Sequence, residues 1–264
     1  MVKKCFIKLV LSSKKLSSIS LHLVKLTGKS NEKIHPKHLI PKNAAWFLEF
    51  LKDNDVVLDI GCGNGQNTLK AAAKCCQVTG LEIDRRQLQI AQKEKRRKKL
   101  TNLKFIKTDL EKKLKIKSNY YTKVLILDVL EHLHKRKQIL DEINRVLKKD
   151  GYLFVSVPNK NTSWKKTLKK ADLPFYSDSD HKIEYNKKEI FKELNKSGFE
   201  VVKLMPIIYD TPWVGFIDII GGLSLTLYKK ITQWRVNKVK INSKETTGFR
   251  LVCRKSFKKI AVKT

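Results

Sequence analysis

The ten residues 56–65 restrict the fold of this chain more than any other part of its sequence. They read Val-Val-Leu-Asp-Ile-Gly-Cys-Gly-Asn-Gly, so an apolar strand runs directly into three glycines spaced two apart. Glycine adopts positive φ without strain and lets a ligand reach bare backbone, and the helix that follows offers free N–H groups. A tight turn explains one glycine, but not three together with an acid, Asp59, near the strand end. We therefore expect a ligand-binding loop between a buried strand and a helix.

This loop differs from the fingerprint of dinucleotide-binding proteins. The fingerprint is Gly-x-Gly-x-x-Gly, whereas the glycines here are Gly61, Gly63 and Gly65, and position 66 is glutamine. The third glycine arrives one residue early, so the loop is poorly matched to a pyrophosphate. The free N–H groups at the helix start suit a carboxylate instead.

Polar residues recur where the next two predicted strands end. Glu82, followed by Ile83, lies 17 residues after Gly65, at a position where a carboxylate can accept both hydroxyls of a ribose. A glutamate taken alone is more often a surface charge, but this distance from the glycine loop favours a ligand contact. After the third strand, Asp109 can accept from the exocyclic amine of an adenine, while Leu110 can cover a face of the ring.

The fourth predicted strand ends in Asp-Val-Leu-Glu-His-Leu, residues 128–133. Ligands bind open α/β folds at the carboxyl edge of the sheet, and Asp128 is assigned to the site on that basis. His132 is either a catalytic base or a structural histidine beside a glutamate, and both interpretations stay open. His181, which follows the fifth strand in Ser-Asp-His-Lys, is the second candidate base, with a solvated loop histidine as the alternative.

The chain as a whole alternates short β-rich runs with amphipathic stretches, which is typical of a parallel sheet with helices on both faces. The predicted strands are 56–60, 77–83, 103–107, 123–127, 152–157, 199–207 and 249–254, and the predicted helices are 66–75, 85–99, 135–148 and 187–197. Gly151 and Gly198 are interpreted as the glycines that end the last two helices. We therefore predict an α/β fold with a seven-stranded, Rossmann-like sheet.

As a set, these motifs resemble those of the class I S-adenosylmethionine-dependent methyltransferases, specifically the small-molecule branch of type 11 and quinone-pathway enzymes. The motifs that carry the resemblance are residues 58–65, 82–84, 108–110, 128–133 and 147–153. It covers about residues 45–158 and resumes at 189–202 and 249–255. These motifs are specific for the cofactor and say little about the methyl acceptor.

The resemblance implies a cofactor, S-adenosylmethionine, and a role for each motif. The glycine loop would cradle the methionine part of the cofactor, Glu82 would hold the ribose, and Asp109 with Leu110 would frame the adenine. The cofactor-site residues assigned in this way are Asp59, Gly61, Cys62, Gly63, Gly65, Glu82, Ile83, Asp109, Leu110 and Asp128. The resemblance also implies the strand order 3-2-1-4-5-7-6 with the last strand antiparallel.

The formal net charge of +32 raises the question of a nucleic-acid partner. However, 48 of the 57 basic residues are lysines spread over almost every segment, and lysine lacks the bidentate fork of arginine. We therefore expect no specific nucleic-acid partner, although the charge can draw the chain towards anionic membranes. The five cysteines include no Cys-x-x-Cys pair, so neither a disulfide framework nor a zinc site is indicated, and no metal-binding residues are assigned.

Two segments lie outside the predicted sheet. Residues 1–44 are interpreted as a basic helical extension with an apolar face formed by Leu16, Ile19, Leu23 and Leu26. This helix either lies across the domain or rests on anionic lipid. Its early apolar run at 5–11 is interrupted by Lys8 and lacks a cleavage site, so we expect no signal peptide.

Residues 45–264 are assigned to the methyltransferase domain, with an apolar insertion at about 209–247 before the last strand. Asp218 and three glycines argue against a membrane span in this insertion. It is interpreted as a lid over an apolar acceptor, a dimer face or an interfacial membrane contact, and packing on the sheet edge is the alternative.

The sequence thus predicts an S-adenosylmethionine-dependent methyltransferase that acts on a small acceptor of hydrophobic, lipid-linked or glycan type, with O-methylation favoured. The competing hypotheses are an RNA methyltransferase and a non-catalytic cofactor-binding protein. Against RNA, no Pro-Cys pair and no Asn-Pro-Pro-Tyr-like tetrad occurs near the site. The expected location is the cytoplasm, with peripheral contact at a membrane surface as a further hypothesis, and the oligomeric state stays open.

Overall fold

The computed structural model of this chain describes residues 16–31, 33–40 and 45–256. Contacts between residues divide the chain into two compact units. Within the described ranges, the sheet unit comprises residues 47–159, 177–205 and 248–256, and the helical unit comprises residues 16–46, 160–176 and 206–247. The predicted extension and the predicted insertion both contribute to the helical unit. The run at 5–11 that bears on a signal peptide lies outside the described residues.

The order of strands and helices follows the alternation expected from the sequence. The strands are β1 (Val56–Ile60), β2 (Gln77–Glu82), β3 (Leu103–Lys107), β4 (Tyr121–Leu127), β5 (Leu147–Pro158), β6 (Phe199–Pro206) and β7 (Gly248–Lys255). The helices are α1 (Leu16–Leu26), α2 (Gln66–Ala72), α3 (Arg85–Arg97), α4 (Arg136–Val146), α5 (Ser163–Lys170), α6 (Lys187–Lys196), α7 (Val214–Leu223) and α8 (Leu225–Ile241).

The seven strands form one sheet in the order β3-β2-β1-β4-β5-β7-β6. Strands β3, β2, β1, β4 and β5 run parallel to their neighbours, and β7 pairs antiparallel with β5. The predicted Rossmann-like fold, its strand order and its antiparallel last strand are therefore confirmed.

The core explains why the central strands could be recognised from their residues. A parallel sheet is covered by helices on both faces, so its strands are apolar without alternation. In β1, Leu58 and Ile60 are fully buried, as are Val57 on the opposite face and Val124 of β4. Because β1, β2 and β4 are parallel, their carboxyl ends meet at one edge of the sheet, and the loops that follow them carry the candidate site.

The interpretation of Gly151 as a helix end is wrong. Helix α4 ends at Val146 and β5 begins at the next residue, so Gly151 lies inside a strand. A Cβ at this position would lie 2.6 Å from Cγ of Leu147 and 3.0 Å from the carbonyl oxygen of Thr122. The glycine is therefore needed for close packing of the backbone. Gly198, by contrast, follows α6 with φ +78°, as predicted for a glycine that ends a helix.

Two helices also differ from the sequence prediction. The residues Ala44, Ala45, Phe47, Leu48 and Leu51 suggest a helix that ends near Asp53, but the described part of this stretch contains only a short 3₁₀ helix, Trp46–Phe50. Helix α5 was not predicted, because its lysine-rich sequence has few apolar residues to mark a periodicity. Thr162 caps its N-terminus, and the Thr162 side chain accepts a hydrogen bond from the N–H of Lys165.

In the helical unit, α1 packs closely against α7. A Cβ on Gly222 would lie 2.7 Å from Cβ of Leu23, so the two backbones approach where a side chain is missing. Thr27 also donates a hydrogen bond from Oγ1 to the carbonyl of Gly222, at 3.0 Å. The predicted helix α1 is thus confirmed, but its buried residues are Ser20 and Val24 rather than the predicted apolar face. Of that face, Ile19 and Leu26 are exposed.

The buried Asp218 of α7 contacts two other segments of the helical unit, α1 and the stretch that contains His35. Its Oδ2 accepts a 2.6 Å hydrogen bond from Oγ of Ser17 and lies 3.1 Å from Nε2 of His35. We expect Asp218→Ala to destabilise the helical unit by about 1–3 kcal/mol, because both polar partners lose their acceptor. Hydrogen exchange should accelerate in α1 and α7 but not in the sheet. Lys229→Ala, at an exposed position of α8, is the matched control.

Candidate active site

The three glycines of the loop after β1 all adopt positive φ, but for two different reasons. Their φ values are +70°, +52° and +78° at Gly61, Gly63 and Gly65. A Cβ on Gly61 would lie 2.5 Å from Cγ2 of Val129, and one on Gly65 would lie 2.8 Å from Cζ of Phe105, so both glycines permit internal packing. A Cβ on Gly63 would meet nothing within 4 Å. The bare backbone at Gly63 is therefore the part of the loop that is open to a ligand.

Contacts with the neighbouring strands β2 and β3 hold the glycine loop in place. The N–H of Cys62 donates a 2.9 Å hydrogen bond to the carbonyl of Leu81, and the Cys62 side chain is buried. The ring of Phe105 in β3 lies against two glycines at once, because a Cβ on Gly65 or on Gly80 would come within 2.8 Å of it. These contacts give the loop a defined conformation.

Asp59, near the end of β1, is fully enclosed beneath the loop. Its Oδ2 accepts a 2.7 Å hydrogen bond from Oγ1 of Thr68 in α2. Burial raises the pKa of Asp59 to about 7; the Thr68 hydrogen bond lowers it and the nearby charge of Glu82 raises it further. A carboxyl group that costs this much to bury is a typical component of a functional site.

Glu82, at the end of β2, connects its own turn to the glycine loop. Its Oε2 accepts a 2.9 Å hydrogen bond from the N–H of Gly63. Its Oε1 accepts from the N–H groups of Ile83 and Asp84, at 2.7 and 2.9 Å. A carboxylate offers about four lone-pair sites; the three N–H groups use three of them, so Glu82 has one site left to accept a ribose hydroxyl. The side chain of Ile83 is exposed beside it, where it can cover an adenine face.

Two residues after β3, Asp109 and Leu110, are predicted to contact the adenine; the first lies near the surface and the second in the core. Asp109 is partly exposed, with Oδ1 accepting a 3.0 Å hydrogen bond from the N–H of Glu111 and Oδ2 lying 3.5 Å from Nζ of Lys112. The N–H of Thr108 donates to the carbonyl of Glu82 at 2.8 Å, which holds this turn beside the end of β2. Leu110 is buried in the hydrophobic core. The roles predicted for Asp109 and Leu110 towards an adenine stay predictions.

After β4, Asp128 has a backbone conformation that non-glycine residues rarely adopt. Its φ is +57°, and its Oδ1 accepts a 2.6 Å hydrogen bond from Oγ of Ser156 in β5. Such conformations cost energy and are concentrated at functional sites. This backbone turn directs the chain into the short 3₁₀ helix Leu130–His132.

The two predicted bases, His132 and His181, lie in contact with each other. Their ring centroids are 4.7 Å apart with an edge-to-face arrangement. Nδ1 of His181 lies 3.0 Å from Oε1 of Glu184, which is fully buried and also accepts a hydrogen bond from the N–H of Ser177. A carboxylate that orients one ring nitrogen of a histidine leaves the other free to take up a proton.

A buried glutamate that the sequence interpretation did not assign completes this cluster. Glu131 is 1 % exposed, and burial raises its pKa to about 8, with further increases from the charges of Asp128 and Glu184. Its Oε2 accepts no hydrogen bond from the part of the chain that the structure describes. The adjacent Glu131-His132 pair after the fourth strand is the sequence signal that could have indicated this glutamate.

Comparison with known proteins agrees with this geometry. The family model described as a methyltransferase domain matches residues 51–204. The ubiquinone biosynthesis O-methyltransferase of Yersinia enterocolitica is 32% identical over 109 residues, 41% of this chain and 45% of the relative. The (S)-tetrahydroprotoberberine N-methyltransferase of Eschscholzia californica is 32% identical over 107 residues, 40% of this chain and 30% of the relative. The chain thus spans less than half the length of these curated relatives.

The fold is also found among solved structures. The [4+2]-cyclase SpnF superposes with a TM-score of 0.58 at 21% identity, covering 78% of this chain and 77% of the cyclase. At this level of identity the similarity concerns the fold alone. Because that protein is named as a cyclase, the architecture by itself does not specify a reaction.

Proposed function

The chain belongs to the class I S-adenosylmethionine-dependent methyltransferases, and from this premise we propose that it transfers the methyl group of that cofactor to a small-molecule acceptor. The observation that carries the proposal is the open backbone at Gly63 beside the Glu82 carboxylate, at the same sheet edge as the His132–His181 pair. The backbone at Gly63 and the Glu82 carboxylate fit a nucleoside that carries an amino-acid group. The His132–His181 pair offers nitrogen atoms that can accept a proton.

The cofactor side of the site follows from this arrangement. The N–H groups of the glycine loop and the start of α2 would receive the carboxylate of the cofactor, Glu82 its ribose, and Asp109 its adenine. When bound, the sulfonium supplies a methyl group that is already activated. The residues of the chain then have to hold the acceptor in line and keep water away.

Orientation is the larger of the two contributions that this chain can make to the rate. Holding an acceptor atom in line with the methyl group can supply ~7–11 kcal/mol, whereas a general base adds roughly 10²- to 10⁴-fold. A base is useful for a hydroxyl acceptor, which must lose a proton. The pairing of His132 with His181, the latter oriented by Glu184, is the reason that we favour O-methylation.

The test is turnover of a labelled methyl donor with an extract that contains apolar phenols, lipid-linked alcohols, glycans and amines. We expect the label in a hydroxyl-bearing product, and we expect His181→Ala to lower kcat more than it changes the affinity for the cofactor. Exclusive labelling of amines would contradict O-methylation and leave the methyltransferase proposal intact. Cofactor binding without any turnover would instead support the non-catalytic alternative.

An RNA substrate remains the competing enzyme hypothesis because of the net charge of +32. A true RNA substrate would bind with an affinity that falls steeply with salt concentration. Methyl transfer to tRNA or rRNA with such a salt dependence would overturn the small-molecule proposal.

We also propose a peripheral contact with anionic membranes, made by the helical unit. This unit exposes large apolar side chains next to lysines of α8, as amphipathic interfacial segments do. The exposed apolar residues are Trp213, Phe216, Leu223, Leu227 and Trp234, and the lysines are Lys229 and Lys230. Within residues 16–31, 33–40 and 45–256, no helix has the length and apolarity needed to cross a bilayer. A reducing location such as the cytoplasm agrees with the free thiols of the described cysteines.

Co-sedimentation with vesicles tests the membrane proposal. We expect the chain to bind vesicles that contain phosphatidylserine and not those of phosphatidylcholine alone. The double variant Trp213→Ser and Phe216→Ser should lose this binding. Ile90→Ser, which removes an exposed apolar side chain from α3 in the sheet unit, is the control that should retain it.

A further inference from the structure

The geometry points to a divalent-cation site formed by Glu131, His132 and His181. Each of the three offers one ligand atom, and these atoms all lie within 4.8 Å of one another. Atoms bound at 2.0–2.2 Å from a common tetrahedral ion lie about 3.3–3.6 Å apart. Side-chain rotations that shorten the largest separation by about 1.2–1.5 Å would therefore bring all three ligand atoms onto one ion.

The backbone holds the two contributing segments together before any ion binds. The carbonyl of Glu131 accepts hydrogen bonds from the N–H groups of Lys182 and Ile183, at 2.8 and 3.3 Å. The segment that carries His181 is thus attached directly to the residue that supplies the carboxylate. A site held in this way loses little conformational freedom on binding.

Glu184 has the position of an outer partner of a metal-bound histidine. Its Oε1 lies 3.0 Å from Nδ1 of His181, so Nε2 is the histidine nitrogen that can face an ion. Histidines that bind metals commonly donate their other ring N–H to a carboxylate, which orients the ring and increases its basicity. Glu184 is itself fully buried and is held by the N–H of Ser177.

An independent observation comes from Glu131. This side chain is 1 % exposed, and its Oε2 accepts no hydrogen bond from any residue that the structure describes. Buried carboxylates are as a rule paired, hydrogen-bonded or bound to a metal. A cation shared with His132 and His181 supplies the missing partner of this oxygen.

The ligand set indicates which cations fit. Imidazole nitrogens suit first-row transition metals such as Zn²⁺, Fe²⁺, Co²⁺ and Mn²⁺, and two histidines with one carboxylate are a common set for them. Three protein ligands leave at least one coordination position open. The site therefore fits a cation of this class with an exchangeable oxygen ligand.

The open position gives the cation a role in methyl transfer in which it takes the place of the histidine base, and this step rests on the methyl transfer of the proposed function. An acceptor hydroxyl bound there loses its proton to solvent more readily, because the cation stabilises the oxygen anion. The oxygen then forms a bond to the methyl carbon while the carbon–sulfur bond breaks, and the sulfur leaves as a neutral thioether. Binding of the cation itself does not depend on this role.

The test uses the complete chain, stripped of metal with a chelator and titrated with Co²⁺, whose d–d absorption reports its coordination. We expect one equivalent to bind, and we expect His132→Ala and His181→Ala each to weaken binding at least ~10-fold. Glu184→Gln should weaken it ~10- to 100-fold, as loss of an outer partner does. His134→Ala is the matched control, because this histidine is exposed and lies two residues after His132. Far-UV circular dichroism verifies the fold of each variant.

Two results would overturn the site. One is a folded, unchanged chain that gives no Co²⁺ spectrum. The other is equal affinity in His134→Ala and in the double variant His132→Ala, His181→Ala. The site and the proposed function can also fail separately. Stoichiometric Co²⁺ binding in a chain that transfers no methyl group supports the cation site and removes the methyltransferase proposal.

Discussion

Glu82→Ala is expected to weaken S-adenosylmethionine binding by about 10- to 100-fold. The cofactor would lose a hydrogen bond from its ribose to the carboxylate, and a hydrogen bond to a charged group contributes about 1.5–3 kcal/mol, which corresponds to roughly this range of affinity. The variant also removes the acceptor of the Gly63 N–H group, which fixes the loop. Titration calorimetry with the cofactor and with its demethylated product measures the effect.

Two further variants separate ligand contact from loop structure. Glu82→Gln retains one acceptor oxygen for the backbone N–H groups but removes the charge. Its affinity should therefore lie between those of the unchanged chain and of Glu82→Ala. Glu94→Ala, at a partly exposed position of α3 where the side chain pairs with Arg97, is the control and should bind the cofactor normally. Unchanged affinity in Glu82→Ala would remove the ribose assignment.

Asp59→Asn is expected to stabilise the ligand-free protein by about 4 kcal/mol above pH 7, but not in acid. The pKa of Asp59 is raised from 3.8 to about 7 in the folded chain, so the folded state binds this proton more tightly than the unfolded state. The carboxyl group therefore lowers stability increasingly as the pH rises from about 4 to about 7, at roughly 1.4 kcal/mol per pH unit. Asparagine does not titrate and still accepts the Thr68 hydrogen bond.

The measurement is the free energy of unfolding of both proteins in urea at several pH values. The stability gain of the variant should grow between pH 4 and pH 7 and then stay constant. Asp141→Asn, at an exposed position of α4, should change the unfolding free energy by less than about 0.5 kcal/mol at pH 8. If Asp59→Asn is no more stable than the unchanged chain at pH 8, the carboxyl group is not buried in the manner described.

The sheet was predictable because its central strands carry their own signal. Strands buried on both faces need continuous apolar runs, and β1 and β3 have the predicted bounds. Their order, by contrast, followed from the resemblance to a family and not from periodicity. Gly151 shows the opposite situation, since its role depends on a contact with Thr122 in a neighbouring strand. A pattern along one segment does not contain that contact.

The candidate site was predictable to the extent that its residues follow strand ends. The glycine loop and Glu82 are adjacent in space for this reason, and the Gly63 to Glu82 hydrogen bond joins them. The association of Glu131 with His181 was not predictable, because it depends on how residues 177–186 return to the end of β4. The two helices α7 and α8 were interpreted only as an apolar insertion, since glycines and tryptophans obscure their periodicity.

The ring of Phe105 has a consequence for how sequences like this one can diverge. It fills the space that side chains at positions 65 and 80 would need. Large residues at position 105 and side chains at positions 65 and 80 therefore exclude one another. An alanine at position 80 would meet both the aromatic ring and Sγ of Cys62, each at 2.8 Å, so it would be tolerated only after both side chains had been replaced by smaller groups. The order in which such changes accumulate is therefore constrained, and the smaller residues at positions 62 and 105 have to come first.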